Sequence, residues 1–147
     1  MSDDAQYCTF RLGSLFFGVE VTKVQEVIRY QEMTPIPLAQ RTVSGLINLR
    51  GQIVTAIDLR RVLEFEDRPA DERPMNVVIR TDEGAVSLLV DEIGDVLETE
   101  ESAYEEPPET LPLAAREMIR GVYKLPGRLL LVLDTERALA VEPSGAR

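Results

Sequence analysis

The chain has 147 residues, 44% of them apolar, and its 26 acidic against 16 basic side chains leave a formal charge of -10 at pH 7. This length fits one compact unit or two very small lobes, and this charge repels phosphate backbones and anionic lipid head groups. With no His and a single Cys, histidine-based triads, most zinc sites and an internal disulfide drop out, so the fold must be held by its apolar core and nothing demands an oxidising compartment.

The first six residues carry Asp3 and Asp4 without a basic or apolar region, and the longest fully apolar run, Leu129 to Leu133, is too short to cross a bilayer. A cytoplasmic chain, neither exported nor membrane-spanning, is the expectation. Cys8, Phe10 and Leu12 alternate with Tyr7, Thr9 and Arg11 as in a half-buried strand, and Gly13-Ser14 turns the chain into a second strand around Phe16 to Val21. Thr22 and Gln25 have capping-box spacing and Val24, Val27 and Ile28 fall at helical offsets, which predicts a short helical turn between strands.

Pro35 and Pro37 punctuate a connector, after which Val43 to Arg50 and Gln52 to Ile57 read as strands meeting at Arg50-Gly51. Asp58 is placed to cap a short helix, Leu59 to Leu63. The charge-dense stretch Glu64 to Pro74 reads as a solvated linker. Strands follow at Asn76 to Arg80, Ala85 to Val90 and Ile93 to Leu97, with Asp82-Glu83-Gly84 turning between the first two. Glu98 to Glu109 is an acidic, proline-containing connector, read as solvated rather than cation-binding because it lacks the alternating acids and turn glycine of an EF-hand loop. Helical composition at Leu113 to Met118, a strand pair at Gly121 to Leu125 and Arg128 to Leu133, and a helix at Thr135 to Val141 complete the chain.

An internal repeat organises these elements. Gly45 to Leu63 (GLINLRGQIVTAIDLRRVL) aligns without gaps on Gly121 to Leu139 (GVYKLPGRLLLVLDTERAL), with six of nineteen positions identical: the glycines 45/121 and 51/127, the leucines 49/125 and 63/139, the aspartates 58/134 and the arginines 61/137. Phe17 to Ile28 likewise matches Val86 to Leu97, at an offset of 69 rather than 76. The difference falls in the Pro35–Pro37 connector, where insertion is tolerated. Each half then supplies about five strands in roughly 60 residues, the content of a small closed β-barrel. A lobe of that size buries only about 60% of its unfolded surface, so the two halves, 7–63 and 75–141 about the linker 64–74, are expected to share an apolar seam, with room for strand exchange between them.

Val43 to Leu63, VSGLINLRGQIVTAIDLRRVL, resembles the signature of the CheW family of chemotaxis adaptors, a Gly-x-x-Asn-x-Arg-Gly turn followed by an Ile-Asp-Leu strand end. KVQEVI at Lys23 to Ile28, VDEIGDVL at Val90 to Leu97 and GVYKLPGRLLLVLD at Gly121 to Asp134 are similar to that family in order and spacing, so the likeness spans nearly the whole chain. Thr55-Ala56 departs from it, where the family often carries proline and an aliphatic residue; proline is tolerated rather than required on an edge strand. The resemblance implies a mainly β fold, two tandem SH3-like five-stranded barrel lobes packed into one CheW-like domain over residues 1–147, with a few short helices. It also implies a non-catalytic adaptor that couples the regulatory domain of a CheA-type histidine kinase to the cytoplasmic tip of methyl-accepting chemoreceptors, the receptor lying in a groove between the lobes. The protein would be cytoplasmic, recruited to membrane-associated receptor arrays, and without cofactor or metal. A related pathway controlling pilus or gliding motility is the alternative.

Arg50 at the hairpin turn, with Glu26, which the resemblance places close by, as its expected partner, is the first candidate for partner binding. The aligned positions in the second half are Pro126 and Asp95, so no equivalent pair can form there, and a feature kept in one half only points to a task of that half. Asn48, from the turn signature, and Val24 and Val27, as an apolar patch for a partner helix, join it. Gly45, Gly51, Gly121 and Gly127 are read as structural turn residues, fixed by positive φ or close approach. Cys8, on the strand face of Phe10 and Leu12, is read as an inert thiol without a role. Two rivals fail. A receiver domain needs a parallel sheet with alternating helices that this pattern lacks, and a small-barrel nucleic-acid binder conflicts with the charge and with only four Phe and four Tyr.

Overall fold

A computed structural model describes residues 5–99 and 104–140. Asp3 and Asp4, Glu100 and Glu101 and the expected helix end at Val141 lie outside the described residues. The fold is mainly β. Among the described residues eleven strands run β1 (Ala5–Leu12), β2 (Leu15–Glu20), β3 (Val24–Ile28), β4 (Val43–Leu49), β5 (Gln52–Asp58), β6 (Met75–Thr81), β7 (Gly84–Val90), β8 (Glu92–Thr99), β9 (Tyr104–Glu105), β10 (Ile119–Leu125) and β11 (Arg128–Leu133). Three short helices join them, α1 (Leu59–Val62), α2 (Leu113–Glu117) and α3 (Thr135–Ala140). The helical turn expected around Val24 is confined to a three-residue 3-10 turn, Val21–Lys23, and Val24, Val27 and Ile28 belong to β3. Their β-branched side chains suit the strand, and pairing with β6 holds it.

Two sheets form, in the orders β8-β1-β2-β11-β10-β9 and β3-β6-β7-β5-β4. Each draws on both sequence halves: the hairpin β1–β2 joins strands of the second half, and the hairpin β6–β7 joins strands of the first. The insertion is made by the parallel pairs β2–β11 and β5–β7, whose registers, Phe17 with Leu131 and Val86 with Thr55, are equivalent under the repeat offsets. Chain beyond each third strand returns to the far edge of its sheet. In the five-stranded sheet Thr34 exchanges two 2.8 Å hydrogen bonds with Leu46 of β4, and in the other β9 pairs with β10. Both sheets thereby curl toward closure, the arrangement of small barrels.

The exchanged hairpins lie inside their sheets, and most of their side chains are buried on both faces. Val78 and Leu89 pack with Ile47, Leu49, Val54 and Ala56 inside the first lobe, while Val77, Ile79, Leu88 and Val90 face the seam shared with Phe10, Phe17, Leu131 and Leu133. Tyr7 and Thr9 are as buried as Phe10 and Leu12, so β1 is not the half-buried strand its alternation predicts. Cys8 is half-buried on that strand, and burial pushes its thiol pKa up.

Identical residues of the repeat cap equivalent helices, through amides one position apart. Asp58 Oδ1 accepts from the Arg60 amide at the start of α1 and Asp134 Oδ1 from the Arg137 amide in α3, each satisfying an unpaired helix amide. The bulges at Val43/Gly45 and Ile119/Gly121 fall at the same place in β4 and β10, which is where Gly45 and Gly121 stand.

The segment 64–74 is not a solvated linker throughout. Phe65 packs on the seam, with its ring 6.5 Å from that of Phe17, and the Arg68 side chain is 7% exposed beside Asp58 and Asp91.

Candidate functional site

The site is built on the turn between β4 and β5. Leu49 pairs with Gln52, leaving Arg50-Gly51 as a two-residue loop, with φ of 53° at Arg50 and 91° at Gly51. Positive φ at both positions is the backbone of a type I′ hairpin, whose twist matches that of its strands. Glycine adopts it freely, whereas an L side chain such as that of Arg50 opposes it by about 1 to 2 kcal/mol. Asn48 offsets this cost, since its Oδ1 accepts from the Gly51 amide at 2.8 Å. In the other lobe Lys124 replaces Asn48 and cannot accept, and Pro126 replaces Arg50 and is confined to negative φ. With Gly127 at φ 81° that hairpin follows the Pro-Gly pattern of a type II turn. The two turns occupy equivalent places with different backbones, and the Asn-x-Arg-Gly sequence is what makes the first possible.

The Arg50 guanidinium donates through Nη2 to Oε2 of Glu26. Glu26 lies on β3 and Arg50 follows β4, the two edges of the five-stranded sheet, so the pair ties together strands that are not neighbours in the hydrogen-bonded order. The Arg50 side chain is 72% exposed and that of Glu26 22%. An ion pair this open is worth about 0 to 1 kcal/mol, no more than the backbone cost of holding Arg50 in place.

Val24 packs partly buried against the seam core, whereas Val27 is 40% exposed; the strand alternation puts Glu26, not Val27, on the face of Val24. The residue that sequence reasoning passes over is Ile53, opposite Asn48 in the β4–β5 ladder and 60% exposed. Its signal was available, since an isoleucine directly after the turn invites burial and finds none. Val27 on β3, and Asn48, Arg50 and Ile53 on the β4–β5 hairpin, are thus the exposed side chains around the strands that the ion pair joins. Gly45 sits deeper, where a Cβ would stand 2.7 Å from the Thr34 carbonyl oxygen, so the bridge that closes the sheet requires glycine.

A model of the CheW-like domain family matches residues 6–142. The chain is 31% identical over 137 residues to the "Chemotaxis protein CheW" of Klebsiella aerogenes, covering 93% of this chain and 82% of that protein. It is 27% identical over 114 residues to "Protein PilI" of Pseudomonas aeruginosa, covering 78% of this chain and 64% of that protein. In fold it is similar to the crystal structure of the scaffolding protein TtCheW from Thermoanaerobacter tengcongensis, with a TM-score of 0.76, 24% identity and 88% of each chain covered.

Proposed function

This chain belongs to the CheW-like domain family, and from that premise we propose that it is a non-catalytic adaptor of chemotaxis, coupling a CheA-type histidine kinase to the cytoplasmic tips of chemoreceptors. The observation that carries the reading to particular residues is the one-sided Glu26–Arg50 pair. A conformationally opposed, largely exposed arginine adds little to folding, so its retention on an Asn48-braced turn serves contact with a partner. Arg50 offers the cation, Glu26 aims it, Asn48 positions the turn, and Val27 offers an exposed apolar side chain on the other face of β3, while Val24 holds β3 against the core. No helix among the described residues is long and apolar enough to cross a membrane, and the protein acts in the cytoplasm by recruitment to receptor arrays. An adaptor contributes through placement. Two modest contacts held within an array gain avidity from effective concentration.

The test is reconstitution of purified kinase, receptor tip fragments and this chain at physiological salt, reading kinase phosphorylation with and without receptor. Both proteins should be retained on the immobilised chain and the kinase should come under receptor control only when it is present; a nucleic-acid shift under the same conditions should be absent. Retention of the kinase with no retention of receptor would sink the coupling role. The PilI likeness favours one second reading, service in a pilus-motility pathway, which the same assay separates when run with kinase and receptor from each system.

A further inference from the structure

The repeat relates the two sides of the seam between the lobes, and the two sides are fastened differently. On one side Asp91, at the passage from β7 to β8, has a side chain only 2% exposed. Its carboxylate accepts from Arg60 of α1 at 2.5 and 3.0 Å, from Arg68 at 3.0 Å and from the Gly13 amide of the β1–β2 turn at 2.7 Å. Arg68 also stands 3.6 Å from Asp58. Two buried arginines and two buried aspartates therefore join both lobes and the 64–74 segment at one point, with Phe65 plugging the seam beside them.

On the equivalent side the offsets put Thr22 where Asp91 stands and Glu136 where Arg60 stands, and the position matching Arg68 is a serine. The cluster cannot be rebuilt from those residues. Among the described residues the ion pair that spans that side is Lys23 with Glu136, at 3.8 Å, with Glu136 86% exposed. Exposed pairs at that separation hold almost nothing. Here lies a groove of about 600 Å³ lined by Lys23, Ile57, Glu83, Val86, Glu136 and Leu139, where the other side has Glu92, Leu133, Ser14, Phe17, Arg60 and Leu63.

We propose that the seam is a one-sided hinge, clamped at the Asp91–Arg60–Arg68 cluster and free to part at the groove between Glu83 and Glu136. Buried charges hydrogen-bonded to several elements resist displacement, because separating them strands a charge away from water, whereas an apolar face bordered by solvated side chains can slide or open. The hinge is a property of the isolated chain. In an adaptor it is the degree of freedom through which a partner on one lobe alters the position of a partner on the other.

The experiment uses the full chain with Cys8→Ala, spin-labelled at introduced cysteine pairs, with distance distributions read by pulsed electron resonance. One pair, Glu83→Cys with Glu136→Cys, spans the groove; the other, Ser14→Cys with Glu66→Cys, spans the clamp. The groove distribution should be about twice as wide as the clamp distribution, in keeping with domain-scale hinge motion, and Arg68→Gln, or the milder Arg68→Lys, should widen the clamp distribution toward it. Equal widths in the parent chain, or a clamp unmoved by either Arg68 change in a folded variant, overturns the hinge. Since no kinase or receptor is added, that failure leaves the adaptor reading untouched, and loss of coupling in the reconstitution leaves the hinge untouched.

Discussion

Arg61 and Arg137, 76 residues apart, donate through Nη1 to the carbonyls of Arg41 and Glu117, which are themselves 76 residues apart, at 3.0 Å in both lobes. The amides of Asp58 and Asp134 repeat the relation, donating to the carbonyls of Thr42 and Met118 at 2.8 and 2.7 Å. The aspartates and arginines identical between the halves are therefore the ones whose bonds stitch each short helix to the segment that leads into its hairpin.

The two aspartates differ in their charged neighbours, a buried Arg68 beside Asp58 and an exposed Arg137 beside Asp134, which gives a stability prediction. Asp58→Ala and Asp134→Ala each remove a helix cap worth about 1 kcal/mol. Asp58→Ala also leaves Arg68, 7% exposed, with one carboxylate instead of two, and disturbing a buried pair costs about 3 kcal/mol or more. Chemical denaturation should show Asp58→Ala as the more destabilising by at least about 1 kcal/mol, a deficit that vanishes when both are made in an Arg68→Met background.

Asp91 fixes how the fold responds to acid. Burial alone pushes its carboxyl up, but the bonds from Arg60, the Gly13 amide and Arg68 outweigh burial and hold its pKa at about 2, below the ordinary value of 3.8. A carboxyl lowered by folding stabilises the protein in full above its unfolded pKa, and the contribution is lost as pH falls through the folded one. The difference corresponds to about 2 kcal/mol. Unfolding free energy measured by denaturant should therefore decline between about pH 4 and pH 2, and Asp91→Asn should be less stable at pH 7 with a flatter decline over that window.

Gly45 tests the closure of the first lobe. An added methyl would meet the Thr34 carbonyl oxygen at 2.7 Å and the Met33 Cβ at 3.2 Å, and the backbone atoms there are held by the two hydrogen bonds to Leu46. Gly45→Ala should cost about 1 to 3 kcal/mol, typical of overpacking against a fixed neighbour. Gly13→Ala, with φ of 59° but open space around it, should cost only about 1 kcal/mol of backbone strain. Thermal unfolding of the pair ranks them.

The strands, both hairpin turns and the repeat were legible in the sequence because each is a local pattern: period-two alternation, a glycine at a tight turn, an acid before a helix. The Glu26–Arg50 pair was legible too, through the family resemblance that places the two close together, while the asymmetry of the aligned halves marked it as a feature of one half only. Three things were not. The burial of Tyr7 and Thr9 depends on the hairpin β1–β2 being enclosed by strands of the other half, and nothing local in β1 says that its second face will meet Leu130 and Val132. Val24 to Ile28 offers spacing that suits a helix, but its partner strand β6 lies about fifty residues away, and a long-range ladder overrides such a local period. Arg68 looks solvated because its neighbours are charged and proline-flanked; its burial follows from Asp91, which is distant in sequence and lies at the passage between the two sheets.

Arg50→Gly separates the two roles of the turn. The Arg50 position sits at φ 53°, where glycine is relaxed and arginine opposed, so the change should raise folding stability by up to about 1 kcal/mol once the weak exposed pair with Glu26 is lost. The same change removes the cation offered to a partner. Arg50→Ala keeps the backbone cost and removes the cation as well, so it should be slightly less stable than Arg50→Gly but equally deficient in contact. Thermal melts together with receptor-dependent kinase phosphorylation therefore give a crossed pattern: the glycine variant melts at or above the parent, and both variants lose receptor control of the kinase while still holding the kinase when immobilised. Receptor control that tracks melting temperature through the series would instead mean that Arg50 acts only as a brace of the first lobe.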